Sequence, residues 1–226
     1  MDGTINLDKP AGPSSAMMVN RVKRLLPKKT KIGHAGTLDP FATGVLLLLV
    51  GKATRWCETL MDQPKQYEAT VKLGASTATD DPESEAIARE VKTVPSRADI
   101  EQAVAKFVGT IQQRPPNFSA IKVGGHRAYD LSRRGKPVEL SARPVRIDRL
   151  EILGFDWPLL RLRIDCGRGT YIRSLARDIG EELHVGGYLT QLRRTRVGSF
   201  IAENAVTLET LIADGVERHL TQSAQI

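Results

Sequence analysis

The sequence has few of the residues on which metalloproteins and disulfide-stabilised proteins depend. It contains two cysteines, Cys57 and Cys166, which lie too far apart in the chain to indicate a disulfide framework or a zinc site. Its four histidines are scattered, whereas a metal hydrolase needs histidines and carboxylates in clusters. We therefore expect a protein that binds no metal.

Long apolar runs are also absent. No run approaches the roughly 18–20 apolar residues that a membrane span requires, and no basic-then-apolar leader opens the chain. We therefore expect a cytoplasmic protein that makes no contact with membranes. Since we find no repeat and no linker, the 226 residues are expected to form a single domain, 1–226, with an irregular insertion at about 114–144.

Positive charge is abundant and unevenly distributed. The net charge is +7, with a pI near 9.6. Residues 122–149 contain eight Lys or Arg against three acids, so this segment supplies +5 of the +7. Such a cluster is expected where phosphates are bound, which favours a polyanionic partner.

The stretch GHAGTLDPFATG, residues 33–44, places His34 and Asp39 on a glycine-rich loop. Pro40 disfavours a helical conformation for Asp39. The apolar run 45–50 that follows has the length of a buried strand, and proteins often hold reacting groups on loops that such rigid elements support. The alternative is an Asp-Pro turn beside a solvated histidine.

Capping residues and apolar periodicity predict the remaining elements. A first helix is predicted after Ser14 or Ser15, with an apolar face that ends before Pro27. Segment 77–90 is predicted to be an acidic surface connection. Further helices are predicted after Ser96, Thr170 and Thr207, and strands at 67–73, 145–153, 160–166 and 188–197. Together these predict an α+β fold with a mixed, mainly antiparallel sheet and flanking helices.

Residues 33–44 resemble the catalytic motif of the TruB family of tRNA pseudouridine synthases. Other segments resemble further motifs of that family, in the family's order. These segments are Leu7–Gly12, Lys65–Tyr67, Pro115–Lys122, Cys166–Arg173 and Leu192–Arg194. The resemblance implies the pseudouridine synthase fold, with the insertion at about 114–144 binding RNA. It also implies isomerisation of the T-loop uridine of tRNA, position 55, to pseudouridine. This isomerisation requires no redox change and no added group, so no cofactor is expected.

The resemblance assigns the catalytic roles to Asp39, Tyr67 and Arg173. Asp39 would attack the sugar or base or abstract a proton. The Arg173 guanidinium would keep that carboxylate ionised, and Tyr67 would stack on the uracil. Without the resemblance, Arg173 would be interpreted as an arginine on a helix surface.

Further residues are assigned to substrate binding. By the resemblance, His34 fills the gap left by a flipped-out nucleotide, Tyr171 and Leu192 line the base pocket, and Lys9 supports that pocket. Simple core packing is the alternative for Leu192. The residues expected to contact the RNA backbone are Lys122, Arg127, Arg133 and Arg134.

Two other functions stay open: a pseudouridine synthase with another RNA target, and a non-catalytic RNA-binding or RNA-folding module. A module without catalysis would not need Asp39, Tyr67 and Arg173 together, and all three are present.

The expected partner is the T-stem-loop of tRNA, with no obligate protein partner and a monomeric state. Phe118 stands where many relatives have tyrosine. After Phe200 only 26 residues remain, whereas many bacterial relatives continue into a small C-terminal RNA-binding domain. Either this branch of the family lacks that domain or the sequence is truncated, and no separate C-terminal RNA-binding domain is expected within residues 1–226.

Overall fold

A computed structural model describes residues 1–116, 118, 122–123, 126–127 and 140–221. The chain divides into two compact units, Met1–Glu68 with Leu192–Ile226 as the first and Ala69–Gln191 as the second. The helices are α1 (Ser15–Lys23), α2 (Cys57–Asp62), α3 (Arg97–Ala105), α4 (Ile172–Glu182) and α5 (Leu208–Asp214). The strands are β1 (Gly3–Lys9), β2 (Ile32–Ala35), β3 (Thr43–Val50), β4 (Lys65–Leu73), β5 (Ala75–Thr77), β6 (Ala86–Ala88), β7 (Gly109–Gln113), β8 (Lys122–Val123), β9 (His126–Arg127), β10 (Arg143–Asp156), β11 (Leu159–Cys166), β12 (Gly187–Val197) and β13 (Phe200–Ile201).

Strand β3 is the centre of the first unit. It pairs antiparallel with β1 from Gly44 to Val50 and antiparallel with β2 near its C-terminal end. Near its N-terminal end it pairs parallel with β12, where Arg194 lies opposite Gly44. Because strands cover both edges and side chains pack on both faces, residues 45–50 are all buried, which confirms the predicted buried strand.

The second unit is built on antiparallel strands. β10 pairs with β11 on one edge and with β7 on the other, and its register with β11 shifts at two bulges. Short antiparallel pairs β5–β6 and β8–β9 lie outside this sheet. Strands β4 and β12 have residues in both units. Parallel and antiparallel pairs occur with helices in one chain, so the predicted α+β class with a mixed, mainly antiparallel sheet is confirmed.

Most helix starts follow the predicted caps. The Ser14 hydroxyl accepts a hydrogen bond from the Met17 amide at 3.2 Å at the start of α1. The Ser96 and Thr207 hydroxyls cap α3 and α5 in the same way, and α3 has a complete capping box. The predicted apolar face of α1, which ended before Pro27 and included Leu25, was wrong at its end: the helix ends at Lys23, and Leu25 is 38% exposed.

The predicted cap of α4 was also wrong. Its N-cap is Tyr171, and the Thr170 hydroxyl instead donates to the carbonyls of Gly167 and Arg146, at 3.2 and 3.4 Å. The side-chain oxygen of Gln113 accepts the Tyr171 amide hydrogen at 2.9 Å. A distant side chain therefore satisfies the helix start, and local sequence could not indicate this. Within the described residues, no helix has the length and apolarity of a membrane span.

Candidate active site

The loop between β2 and β3 carries Asp39 in the first unit. Three buried side chains from other elements hold the backbone of this loop. The first is Ser15, at the start of α1: its hydroxyl donates to the Leu38 carbonyl at 3.0 Å and accepts from the Leu38 amide at 2.8 Å. This reciprocal pair fixes the residue immediately before Asp39.

Lys9, at the end of β1, holds the other side of Asp39. Its side chain is 0% exposed, and its Nζ donates to the carbonyls of Pro40 at 3.0 Å and Ala42 at 2.7 Å. Burial lowers the pKa of Lys9 to about 8, with attraction to the Asp39 carboxylate acting against this and repulsion from Arg194 adding to it. At neutral pH Lys9 is therefore a buried cation close to the charge of Asp39.

The third of these side chains is Arg194 on β12, which the sequence analysis did not select. It is 1% exposed, and its guanidinium donates to the carbonyls of Val45 at 2.7 Å and Gly36 at 3.1 Å. The alternation of side chains along a strand puts Arg194 on the same face as buried Leu192, and this spacing was the signal that could have identified it.

His34 lies on β2 and is half-buried. Burial lowers the pKa of His34, repulsion from Arg194 lowers it further, and a backbone hydrogen bond with Gly36 acts in the opposite direction. The imidazole is therefore mostly neutral at neutral pH, and a neutral ring is suited to stacking. Tyr67 on β4 and Leu192 on β12 are both buried in the first unit.

In the second unit, Arg173 lies on the first turn of α4 and is only 5% exposed. Its Nη1 donates to Asp81 Oδ2 and to the Thr79 carbonyl, both at 3.1 Å. Its Nη2 donates to the Phe118 carbonyl at 2.9 Å. The interpretation of Arg173 as a surface arginine is therefore wrong.

Segment 77–90 was predicted to be a surface connection, and this prediction is wrong for the first residues of the segment, 77–81. Thr77, Thr79 and Asp81 are buried, and the two threonine hydroxyls donate to the Asp81 carbonyl and side chain. Side-chain and backbone partners satisfy these polar groups, so the turn can be buried. An acidic, proline-containing sequence gives no local sign of such partners.

The neighbouring residue Asp80 binds a second arginine of α4. Its Oδ2 accepts from Arg177 Nη1 at 3.0 Å, and Arg177 also donates to Asp178 at 2.8 Å. Burial raises the pKa of Asp80 to about 6, although attraction to Arg177 and Arg173 acts against this. Adjacent carboxylates thus hold two guanidinium groups that lie one helical turn apart.

Tyr171 immediately precedes α4 and is half-buried. Gln113 binds its backbone at both groups, donating to the Tyr171 carbonyl at 3.1 Å and accepting from the amide at 2.9 Å. The Arg143 guanidinium lies 5.3 Å from the centre of the Tyr171 ring, within the range of a cation–π contact. The backbone of Tyr171 is therefore held in place while its ring keeps some exposure.

A cleft of about 740 Å³ lies in the second unit and has charged walls. It is lined by Ala78, Asp80, Phe107, Gln112, Arg114, Pro115, Ala142, Arg177, Asp178, Glu181, Glu182 and His184. Among the residues that the structure describes, no three His, Cys, Asp or Glu side chains are grouped as metal ligands.

The predicted site residues form one group in each unit. In the first unit, Asp39 lies on the loop between β2 and β3, with Lys9 and His34 nearby. In the second unit, Tyr171 and Arg173 lie at the start of α4. Lys122 and Arg127 pair through their backbones across β8 and β9. The predictions for Arg133 and Arg134 lie outside the described residues.

Comparison with known families gives two matches that together cover most of the chain. Residues 23–172 match the description "TruB family pseudouridylate synthase (N terminal domain)". Residues 173–223 match "tRNA pseudouridylate synthase B C-terminal domain".

Similar curated proteins share the name "tRNA pseudouridine synthase B". The chain is 50% identical to "tRNA pseudouridine synthase B" of Mycobacteroides abscessus over 218 residues, which covers 94% of this chain and 72% of that protein. It is 48% identical to the protein of the same name from Aromatoleum aromaticum, a match that covers 94% of this chain and 68% of that protein.

Among solved structures, a chain of "Crystal Structure of a Cbf5-Nop10-Gar1 Complex" is 33% identical with a TM-score of 0.72. That match covers 96% of this chain but only 57% of the other.

Proposed function

This chain belongs to the TruB family of pseudouridylate synthases, and we propose that it converts the uridine at position 55 in the T-loop of tRNA to pseudouridine. The observation that carries the proposal is the identity of 48–50% to relatives named tRNA pseudouridine synthase B, over 94% of this chain. Because these matches extend over 94% of the chain, the resemblance does not rest on short motifs alone.

The proposed reaction breaks the bond between C1′ and N1, turns the uracil, and joins C5 to C1′. The proton on C5 is lost and N1 is protonated, so the product is an isomer of the substrate. We assign the catalytic carboxylate to Asp39. The support is local: Ser15 and Lys9 fix the residues on both sides of Asp39, and the Lys9 cation favours its ionised form. A carboxylate on a fixed backbone beside a cation suits either attack on the substrate or proton abstraction.

We assign Arg173 as the partner of that carboxylate, on the family resemblance. Its fixed guanidinium supports a precise role, because three acceptors determine its orientation in the second unit. Tyr67 is proposed to stack on the uracil. Tyr171 and Leu192 are proposed to line the base pocket.

His34 is proposed to occupy the space that a flipped-out nucleotide leaves in the RNA. A neutral, half-buried imidazole presents a flat surface for stacking without a buried charge, and removing a base from its stack costs a few kcal/mol that such a surface offsets. Phosphate contacts are assigned to Lys122, Arg127, Arg133 and Arg134, and the tRNA T-stem-loop is the proposed partner of a monomeric, cytoplasmic enzyme.

A second candidate substrate is an RNA other than tRNA. The observation that favours it is the match to a chain of "Structure of H/ACA RNP bound to a substrate RNA containing 2'-deoxyuridine", which is 31% identical with a TM-score of 0.68 and covers 96% of this chain. The same fold therefore occurs in an assembly whose substrate is not described as tRNA.

Mapping pseudouridine at nucleotide resolution tests the proposal. The purified chain is incubated with an unmodified tRNA transcript, with its isolated T-stem-loop, and with a transcript in which cytidine replaces uridine 55. We expect one pseudouridine in each of the first two RNAs and none in the third. Modification at another position, or only in non-tRNA transcripts, would favour the second candidate. No pseudouridine in any RNA would contradict the proposed activity.

A further inference from the structure

The buried guanidinium of Arg194 contacts the loop that carries Asp39, and the roles assigned above do not include it. We infer that Arg194 is a positioning residue, which fixes the ends of this loop so that the Asp39 carboxylate is presented in one orientation. The effect of Arg194 on catalysis rests on the proposed function. Its effect on the conformation of the loop can be measured without activity.

Arg194 contacts the backbone both before and after Asp39. Its Nε donates to the carbonyl of Val45 and its Nη2 to the carbonyl of Gly36, so one rigid planar group binds the backbone on both sides of Asp39. The guanidinium binds these two carbonyls through two different nitrogens of one rigid plane, whereas a lysine would have to bind both through one nitrogen on a flexible chain. The hold therefore depends on the shape of the guanidinium as well as on its charge.

Gly36 in the loop and Gly44 at the start of β3 both lie next to Arg194. A Cβ on Gly36 would lie 3.4 Å from Arg194 Nη1, and a Cβ on Gly44 would lie 2.2 Å from the Arg194 carbonyl oxygen. Both glycines have positive φ, +90° and +98°, which other residues rarely adopt. The positive φ favours glycine at both positions, and at Gly44 the backbone of Arg194 also leaves no room for a Cβ.

Arg194 completes a set of side chains that bind alternate carbonyls along the loop. Arg194 binds the carbonyl of residue 36, Ser15 that of residue 38, and Lys9 those of residues 40 and 42. A loop has no strand ladder to satisfy these carbonyls, so side chains from β1, α1 and β12 determine its conformation. Asp39 lies in the middle of this set.

The charge of Arg194 also acts on the neighbouring residues. Second to burial, Arg194 lowers the pKa of His34, and it contributes to the lowered pKa of Lys9. An apolar residue of similar volume could pack between β3 and the loop without the desolvation cost of a buried cation. We therefore attribute this charged, two-point contact to the positioning of the loop.

The test compares Arg194→Lys and Arg194→Met with Arg193→Lys as a matched control. Arg193 is the preceding residue on β12 and pairs with Asp8 near the surface. Single-turnover rates of pseudouridine formation and RNA dissociation constants are measured for each variant. We expect Arg194→Lys to lower the rate by at least about tenfold with an RNA affinity within about threefold of wild type. Arg194→Met should lower the rate further, and Arg193→Lys should change neither quantity.

Hydrogen–deuterium exchange over residues 36–45 provides a readout that does not depend on activity. We expect faster exchange in this segment for Arg194→Lys and unchanged exchange for Arg193→Lys. If Arg194→Met does not fold, the lysine variant still carries the test.

A wild-type rate for Arg194→Lys, or a loss of RNA affinity as large as the loss of rate, would overturn the inference. If the wild type forms no pseudouridine, the proposed function fails. Hydrogen–deuterium exchange then tests separately whether Arg194 fixes the loop, and unchanged exchange over residues 36–45 in Arg194→Lys would overturn the inference.

Discussion

Asp81 and Arg173 form a buried ion pair, with 3.1 Å between Oδ2 and Nη1. Both side chains are almost completely removed from solvent. Thr79 and Phe118 add carbonyl acceptors to the same guanidinium. The orientation of Arg173 is therefore determined by a turn, 79–81, that lies far from it in sequence.

We expect Asp81→Asn to destabilise the protein by about 3 kcal/mol, because a buried guanidinium loses a carboxylate partner. Denaturant unfolding measures this change. Glu101→Gln is the control, since Glu101 pairs with Arg97 at an exposed site and its loss should cost less than about 0.5 kcal/mol. Equal stability losses in the two variants would contradict the structural importance of the buried pair. If Arg173 has its proposed role, Asp81→Asn should also slow pseudouridine formation at saturating RNA.

Asp39→Asn tests the proposed catalytic carboxylate. Asparagine keeps nearly the same shape, and the loop is held through its backbone by Ser15, Lys9 and Arg194, so the fold should be retained. RNA binding should be unchanged or slightly stronger, because a negative charge near phosphates is removed. Pseudouridine should fall to background. Activity within about tenfold of wild type, equivalent to about 1.4 kcal/mol of barrier, would exclude Asp39 from the catalytic role.

The lowered pKa of Lys9 predicts a pH dependence of stability. Its pKa is about 8 in the folded protein against 10.5 as the ordinary value, so between these pH values the unfolded chain binds more protons at this site. The contribution of Lys9 to the free energy of unfolding should therefore rise with pH across this window, by up to about 3 kcal/mol.

Comparison with Lys9→Met isolates this contribution, because the other titrating groups are shared. The free energy of unfolding of the wild type minus that of the variant should increase between pH 7.5 and pH 10. A difference that stays constant with pH would show that the pKa of Lys9 is not lowered.

Gly44→Ala tests the close approach of β3 to β12. The added Cβ would lie 2.2 Å from the Arg194 carbonyl oxygen, so the two strands would have to separate. The matched control is Gly109→Ala, which has a similar φ of +101° and open space around the added atom. We expect the control to cost about 1–2 kcal/mol from backbone strain alone. Gly44→Ala should cost at least about 3 kcal/mol, and similar values for the two would refute the steric argument.

Arg133→Ala with Arg134→Ala tests the cationic insertion. If these residues bind phosphates, RNA affinity should fall and its dependence on salt concentration should become shallower, with little change in turnover at saturating RNA. Lys92→Ala with Arg97→Ala is a control of equal charge outside the insertion. An unchanged salt slope in the Arg133/Arg134 variant would show that these arginines are only solvated.

Local patterns in the sequence predicted the elements and the motif loop. The strand at 45–50, the alternating strand from Tyr67 to Leu73 and the helix start at Ser96 all formed as predicted, because neighbours within a few residues determine them. The family motifs also predicted the fold class, because the resemblance implies the fold of that family.

The tertiary structure alone decided which polar residues are buried and what they bind. Asp81 was predicted at the surface and Arg194 was not selected at all, yet both are buried. Their partners lie 92 and 149 residues away in the chain. A buried charge is tolerated only where such partners converge on it, and no pattern within a short window of sequence encodes that convergence. The sequence by itself therefore determined which loop carries Asp39, and packing between distant strands and helices determined how rigidly that loop is held.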